Sequence, residues 1–165
     1  MPMFIKLENG HPAWAEDGFS HVADDEPLPL EGGVILSLDR LRAELETLPN
    51  RPLGVRLEPG QAVEELAPYI FAVSVIALVF PKFRDGRAFS SAMLLRERLG
   101  YRGELRAVGE VLREQANFMV RCGFDAFEPS DGSSPEDLAR KIAGFRHVYQ
   151  SAADGRLPAY LERAR

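Results

Sequence analysis

The sequence predicts an α/β protein with a mainly parallel sheet, formed by about five strand–helix (βα) units. From Gly33 onward, short apolar runs alternate with segments of helical period, and each strand–helix unit takes roughly 20 to 25 residues. The run Val73–Phe80 is almost continuously apolar and β-branched, which is typical of a strand covered on both faces. Short connections favour right-handed crossovers between parallel strands. These observations fit either a partial barrel or an open doubly wound sheet.

The first 32 residues predict a small antiparallel addition. Phe4–Leu7 alternates apolar and polar residues, and the Asn9–Gly10 pair indicates a tight turn. Trp14 and then Phe19–Val22 are candidates for the return strand. The acidic, proline-bearing stretch that follows reads as a linker. We therefore expect a single domain with a hairpin and linker (1–32), βα repeats (33–150) and a C-terminal tail (151–165).

The βα repeats contain five candidate strands and five candidate helices. Local signals place the helix ends: Asp39 as an N-cap, Pro68 as a limit, Gly100 and Gly123 just past two helices, and the Ser134–Pro135 start. Leu138, Ile142, Phe145 and Tyr149 form one apolar face of the last helix. The strands are predicted at 34–38, 53–57, 73–80, 104–109 and 124–129. The helices are predicted at 40–48, 61–66, 88–99, 111–122 and from 135 onward.

Composition and charge argue against several classes of function. The longest apolar run, Ile70–Phe80, is too short to cross a bilayer, and no secretory signal is visible, so we expect a cytoplasmic protein without a membrane partner. The net charge of −5 argues against nucleic-acid binding. The charge is uneven: residues 1–31 carry seven acids and one base, whereas residues 82–121 carry nine bases and five acids. This asymmetry favours an anionic ligand or an acidic partner.

The sequence contains no recognisable cofactor or metal motif. His11, His21 and His147 are scattered without metal-ligand spacing, and neither a dinucleotide fingerprint nor a P-loop is present. Cys122 is the single cysteine, and its place on an apolar helix face indicates a small buried residue rather than a nucleophile. We therefore expect neither a bound cofactor nor a metal.

A site is expected where the strands end and the following loops gather, as in other sheets of this kind. The segment Lys82–Arg87 carries three cations and one carboxylate and leads into a helix. Arginine suits the planar recognition of an oxyanion, so one interpretation of this segment is an anion site. The other is that its charges form ion pairs such as Asp85–Arg87 or Arg84–Glu110. The residues of the anion-site hypothesis are Lys82, Arg84, Asp85, Arg87, Glu110, Gln115 and Glu128.

Three glutamates, Glu58, Glu110 and Glu128, also follow predicted strands. They are candidates to converge at one edge as general acids or bases. The same positions are equally compatible with mutual salt bridges to nearby cations. No Ser–His–Asp set is assembled by the sequence.

Four segments carry a family resemblance, namely Phe80–Ser90, Leu94–Tyr101, Gly103–Gly109 and Arg121–Asp125. Together they resemble a bacterial family of unknown function, number 934 among such domains. Its members are often labelled as probable oxidoreductases involved in sulfite reduction, and their genes commonly neighbour those of the haem subunit of assimilatory sulfite reductase. The resemblance therefore implies a role in sulfur assimilation, and it brings no known catalytic residues.

Three hypotheses about function remain. The first is an accessory protein of assimilatory sulfite reduction, which binds sulfite reductase or an oxyanion. The second is a small enzyme acting on an anionic metabolite, with Arg84 and Arg87 holding the substrate and Glu110 or Asp85 as acid–base. The third is a homo-oligomer in which a second copy covers an exposed sheet edge.

Overall fold

The computed structural model describes residues 3–144, 152–156 and 158. Within these residues, eight strands form one sheet, and four α-helices and two 3₁₀ helices accompany it. The strands are β1 (Met3–Glu8), β2 (His11–Glu16), β3 (Phe19–His21), β4 (Gly33–Ser37), β5 (Leu53–Leu57), β6 (Val75–Phe80), β7 (Glu104–Gly109) and β8 (Ala126–Phe127). The helices are α1 (Leu38–Glu44), α2 (Arg87–Glu97), α3 (Ala116–Cys122) and α4 (Pro135–Ala143), with 3₁₀ helices at Val63–Tyr69 and Arg113–Gln115.

The sheet is a curled half-barrel. Its strand order is β2-β1-β8-β7-β6-β5-β4-β3, and all pairs from β3 to β8 are parallel. Strands β4 to β8 thus lie in chain order without the reversal that defines a doubly wound sheet. The partial barrel is therefore the correct one of the two predicted arrangements, and β1 and β2 are its antiparallel addition.

The N-terminal hairpin differs in part from the prediction. The tight turn lies at Asn9–Gly10, where both residues have positive φ, 52° and 82°. The return strand is His11–Glu16, which includes Trp14. Phe19–His21 is not part of the hairpin, because it forms the opposite edge of the sheet, parallel to β4. The return-strand prediction was therefore wrong for this segment.

Two predicted helices differ from the observed ones, one in its N-cap residue and the other in its helix type. Ser37, not Asp39, caps α1, since its hydroxyl accepts a hydrogen bond from the backbone N–H of Arg40 at 3.1 Å. The connection from β5 to β6 is a 3₁₀ helix with Pro68 inside it, where an α-helix was expected. Because of this connection, five strand–α-helix units are not found among the described residues.

Some of the other predicted ends match, whereas α3 begins at Ala116 rather than 111 and α1 ends at Glu44 rather than 48. Gly123 closes α3 with φ 109°, and Ser134 forms a capping box with Asp137 at the start of α4. Leu138 is buried and Ile142 packs against the core, while the expected contacts of Phe145 and Tyr149 lie outside the described residues, as does most of the predicted tail.

The two faces of the sheet have different surroundings. The outer face carries residues such as Leu57, Ile76 and Leu105, and it packs against the helices in the main core. The inner face carries a smaller apolar cluster around Ile35, Val75 and Ala77. Because side chains alternate along a strand, the charged residues of β5 and β7 lie on this inner face.

Candidate functional site

The segment Lys82–Arg87, here called the cation loop, lies at the carboxyl end of β6 and leads into α2. It is exposed along most of its length, and the backbone N–H of Asp85 donates to the carbonyl of Lys82 at 2.9 Å. Within the described part of the chain, the side chains of Lys82 and Arg84 have no hydrogen bond or ion pair. The loop therefore presents two free cations two residues apart.

The Asp85 carboxylate occupies the start of α2. It accepts hydrogen bonds from the backbone N–H and the Nε of Arg87 at 3.1 and 3.0 Å, and Arg87 Nη2 lies 2.5 Å from its other oxygen. The Arg87 guanidinium lowers the pKa of the Asp85 carboxyl to about 2, with the backbone N–H of Arg87 as the second cause. The predicted Asp85–Arg87 ion pair is therefore present, and Asp85 fills the place where an anion would meet the helix start.

Glu110 and Gln115 hold the loop from the segment that follows β7. The backbone N–H of Phe83 donates to the Glu110 carboxylate at 2.9 Å, and the Gln115 side-chain amide donates to the Phe83 carbonyl at 3.1 Å. The expected Arg84–Glu110 pair is not seen among the described residues, because Glu110 binds the backbone of Phe83 instead. Glu110 and Gln115 thus position the loop.

Glu128 lies apart from the cation loop, on the inner face of the half-barrel. Its Oε1 atom lies 3.0 Å from His21 Nε2 and accepts a hydrogen bond from Arg106 Nη1, also at 3.0 Å. Glu58 lies at the carboxyl end of β5, where its Oε1 is 2.9 Å from Arg56 Nε. Glu58 and Glu128 border the same cavity, whereas Glu110 binds the backbone of the cation loop, so the three glutamates do not form one acid–base centre.

Arg106 is the centre of the inner-face charges. Its side chain is only 1% exposed, and it binds Asp17 through Nη1 and Nη2 at 2.6 and 3.2 Å. It also binds Glu104 at 2.8 Å, and its guanidinium stacks over the ring of Phe4 at 4.0 Å from the ring centre. Burial alone would lower the pKa of Arg106, but the hydrogen bond to Asp17 and the neighbouring glutamates raise it, so the side chain stays charged.

The sequence did not predict that one cluster would form from Asp17, His21, Glu104 and Arg106. A usable signal was present in β7, where the charged Glu104 and Arg106 alternate with Leu105 and Ala107. An arginine at the middle of a central strand needs several acceptors to be tolerated there. The acceptors themselves carry no local signal, since Asp17 is 89 residues away from Arg106.

Cys122 is buried on α3, as predicted. Burial raises the pKa of its thiol to about 11, which disfavours the reactive thiolate. Among the described residues, no group of three or more histidine, cysteine, aspartate or glutamate side chains is placed to hold a metal ion. None of the helices in the described part of the chain combines the length and apolar character that crossing a bilayer requires.

Comparison with known proteins identifies a family. Residues 54–160, more than half of the chain, match the family described as bacterial protein of unknown function, DUF934. The match includes the cation loop, Arg106 and Glu128, but neither Asp17 nor His21. No curated protein is detectably similar to the chain. The chain therefore belongs to the DUF934 family of bacterial proteins.

Proposed function

We propose that the protein is an accessory protein of assimilatory sulfite reduction, which binds a small oxyanion at the cation loop. The observation that carries this proposal is the pair of exposed cations, Lys82 and Arg84, which have no partner within the described residues. Cations that no carboxylate pairs attract an anion from solution, and arginine matches the geometry of an oxyanion such as sulfite. The link to sulfite rests on the sulfur-assimilation role that the family resemblance implies.

The surroundings of the loop also suit a docking surface for the reductase. Phe83, between the two cations, is 45% exposed, and Phe118 on α3 is 43% exposed. The rings of Phe89 and Phe118 are in contact, with centres 4.8 Å apart, and Gln115 ties Phe83 to the same region. Exposed aromatic rings beside unpaired cations are typical of residues that anchor protein interfaces.

The small-enzyme hypothesis has less support at this loop. Its proposed acid–base groups, Asp85 and Glu110, already accept hydrogen bonds from Arg87 and from the Phe83 backbone. Arg87 is likewise bound to Asp85, so only Lys82 and Arg84 are free to meet a ligand. Binding, rather than acid–base catalysis, is therefore the better-supported use of the cation loop.

Oxyanion binding is tested with sulfite, sulfate and phosphate, by thermal shift and calorimetry. We expect sulfite to stabilise the wild-type protein in proportion to the logarithm of its concentration once it exceeds Kd. The double variant Lys82→Gln/Arg84→Gln should lose at least tenfold in affinity. Arg102→Gln is the matched control, because Arg102 is an exposed arginine before β7, at the opposite end of the strands. No shift at millimolar sulfite, or an equal loss in the control, would exclude the site.

The partner is tested by affinity purification of the tagged protein from its own host, grown on sulfate as sole sulfur source. We expect sulfite reductase in the eluate, detected by its absorbance and by mass spectrometry. Replacing Phe83 with serine should remove the reductase without changing sulfite affinity, if the aromatic surface docks it. A wild-type eluate free of reductase would contradict the accessory role and leave oxyanion binding to be judged on its own.

A further inference from the structure

A cavity of about 350 Å³ opens on the inner face of the half-barrel, at the carboxyl ends of its strands. Val79 and Val108 supply apolar walls, and Gly109 brings the backbone of β7 close to the opening. The ionisable side chains at its rim are His21, Arg56, Glu58 and Glu128, which we call the inner mouth. These residues are distinct from the cation loop, so the inner mouth does not depend on the function proposed above.

The first feature of the inner mouth is an oriented histidine. Glu128 accepts at Oε1 from Arg106, and its distance to His21 Nε2 is 3.0 Å. Burial by itself raises the pKa of the Glu128 carboxyl, but hydrogen bonds from His21 and Arg106 outweigh it and lower the pKa. Because an ionised carboxylate can only accept, Nε2 of His21 must carry a hydrogen. In the neutral ring Nδ1 is then an acceptor, and it has no partner among the described residues.

The second feature is a cation whose hydrogen bonds are incomplete. Arg56 Nε is buried and makes no hydrogen bond within the described chain, although Glu58 Oε1 lies 2.9 Å away. The contact has the distance of an ion pair without the direction of a hydrogen bond. Nε itself is out of reach of a ligand, but the Arg56 side chain is 36% exposed and lines the cavity. Its terminal Nη atoms make no hydrogen bond within the described residues, so they can take the acid group of a ligand.

These two features specify a ligand by complementarity. Arg56 requires an anionic acceptor, whereas Nδ1 of His21 requires a hydrogen-bond donor. The carboxylates of Glu58 and Glu128 at the same rim favour a donor that is positively charged. The inner mouth has two carboxylates and one arginine, and the buried Arg106 beside it is shared between Asp17, Glu104 and Glu128, so the rim favours a ligand that carries an ammonium group as well as a carboxylate.

We propose that the inner mouth binds a small α-amino acid, with its carboxylate on Arg56 and its ammonium group donating to His21. The neighbouring depression beneath Trp14 also borders His21 and Glu128, but it has no counterpart of Arg56. It therefore supplies the histidine without the anchor for a carboxylate, and the site is assigned to the Arg56 side.

The test is a titration followed on the histidine ring. The chain has three histidines, so His21→Gln assigns the ¹⁵N ring signals of His21 by their loss. Before any ligand is added, the signals of the neutral ring should show a hydrogen on Nε2 and none on Nδ1. Alanine, serine and aspartate are then compared with lactate and propionate, which replace the ammonium group by a hydroxyl and by hydrogen. We expect at least one amino acid to shift the His21 signals with at least tenfold higher affinity than propionate.

Variants separate this site from the cation loop. Arg56→Gln should weaken amino-acid binding at least tenfold, and Glu58→Gln should weaken the amino acids more than lactate. Lys82→Gln/Arg84→Gln should leave the titration unchanged, whatever it does to sulfite binding. The proposal is overturned if none of the amino acids moves the His21 signals at concentrations of roughly 10 mM, or if propionate binds as tightly as alanine. It is also overturned if Arg56→Gln, with an unchanged circular dichroism spectrum, retains full affinity.

Discussion

The cation loop and the Arg106 cluster contain the same kinds of side chain in opposite surroundings. Arg84 extends from an exposed turn and has no partner in the described chain, whereas Arg106 is 1% exposed and binds Asp17, Glu104 and Glu128. Water screens the charges of the loop, so they add little to stability and remain available to a ligand. Arg106 and its carboxylate partners are buried, so they contact little water and each charge is stabilised mainly by the others.

This difference distinguishes arginines that stabilise the fold from arginines that are available to a ligand. Arg96 is a second example, since its guanidinium donates to the carbonyls of Gly123, Tyr101 and Gly103 at the amino ends of the strands. An arginine whose donors are all used by its own chain cannot serve a ligand without breaking the fold. Residues 82–121 carry an excess of positive charge, but several of these cations are bound within the fold. The positive charge that a ligand meets is therefore smaller than the sequence suggests.

The largest expected effect comes from Arg106→Leu. This variant leaves the buried carboxylate of Asp17 without its ion-pair partner, whereas Glu104 keeps Lys6 at 2.8 Å, and breaking a buried pair in this way costs about 3–5 kcal/mol. Urea denaturation at neutral pH measures the loss in the free energy of unfolding. A loss no larger than the roughly 0.5 kcal/mol of an ordinary surface substitution would contradict the dependence of these carboxylates on Arg106.

Arg84→Leu is the matched control on the other side of the comparison. Its free energy of unfolding should stay within about 0.5 kcal/mol of the wild-type value, as for most surface substitutions. If Arg106→Leu does not fold, Arg106→Lys keeps one charge in the cluster and should still unfold at lower urea than the wild type. If Arg106→Lys and Arg84→Leu were equally stable, the buried Arg106 contacts would contribute no more to stability than the exposed cation loop does.

Sequence reasoning was more successful for the strands than for the site. β5 and β7 were predicted with their observed bounds, because a short apolar or alternating run between turn signals is a local property. Phe19–His21 was assigned to the hairpin because its true partner, β4, is chosen by tertiary packing. Pro68 was read as the limit of an α-helix, although the chain accommodates it inside a 3₁₀ helix.

The candidate site shows the same division. The position and exposure of the cation loop follow from local sequence, namely a charged turn after an apolar strand. The inner mouth requires His21 to meet Glu128 across 107 residues, and nothing in either neighbourhood indicates that pairing. The anion-site hypothesis joined Glu128 to the loop because both follow strands, whereas alternation along the strands places Glu128 on the inner face.

A smaller effect is expected from Asp85→Asn. Asp85 now binds Arg87 and occupies the start of α2, so its carboxylate competes with any oxyanion that approaches the loop. The substitution removes that negative charge and frees the Arg87 guanidinium while it keeps the side-chain volume. We expect sulfite affinity to rise several-fold, measured by calorimetry at low ionic strength, where surface charges are least screened. Unchanged or weaker binding would show that Asp85 does not oppose the anion.

The smallest effect is the titration of Asp85 itself, which tests whether the pair forms in solution at all. The carboxyl pKa is about 2 in the folded protein, against an ordinary value of 3.8. A lowered folded pKa means that the pair stabilises the fold above the ordinary pKa and ceases to do so as the pH falls through about 2. Carbonyl ¹³C NMR should therefore show a midpoint near 2 that returns towards the ordinary value in Arg87→Gln. A wild-type midpoint that already lies near the ordinary value would mean that Arg87 is free, and the cation loop would then offer three cations to an anion instead of two.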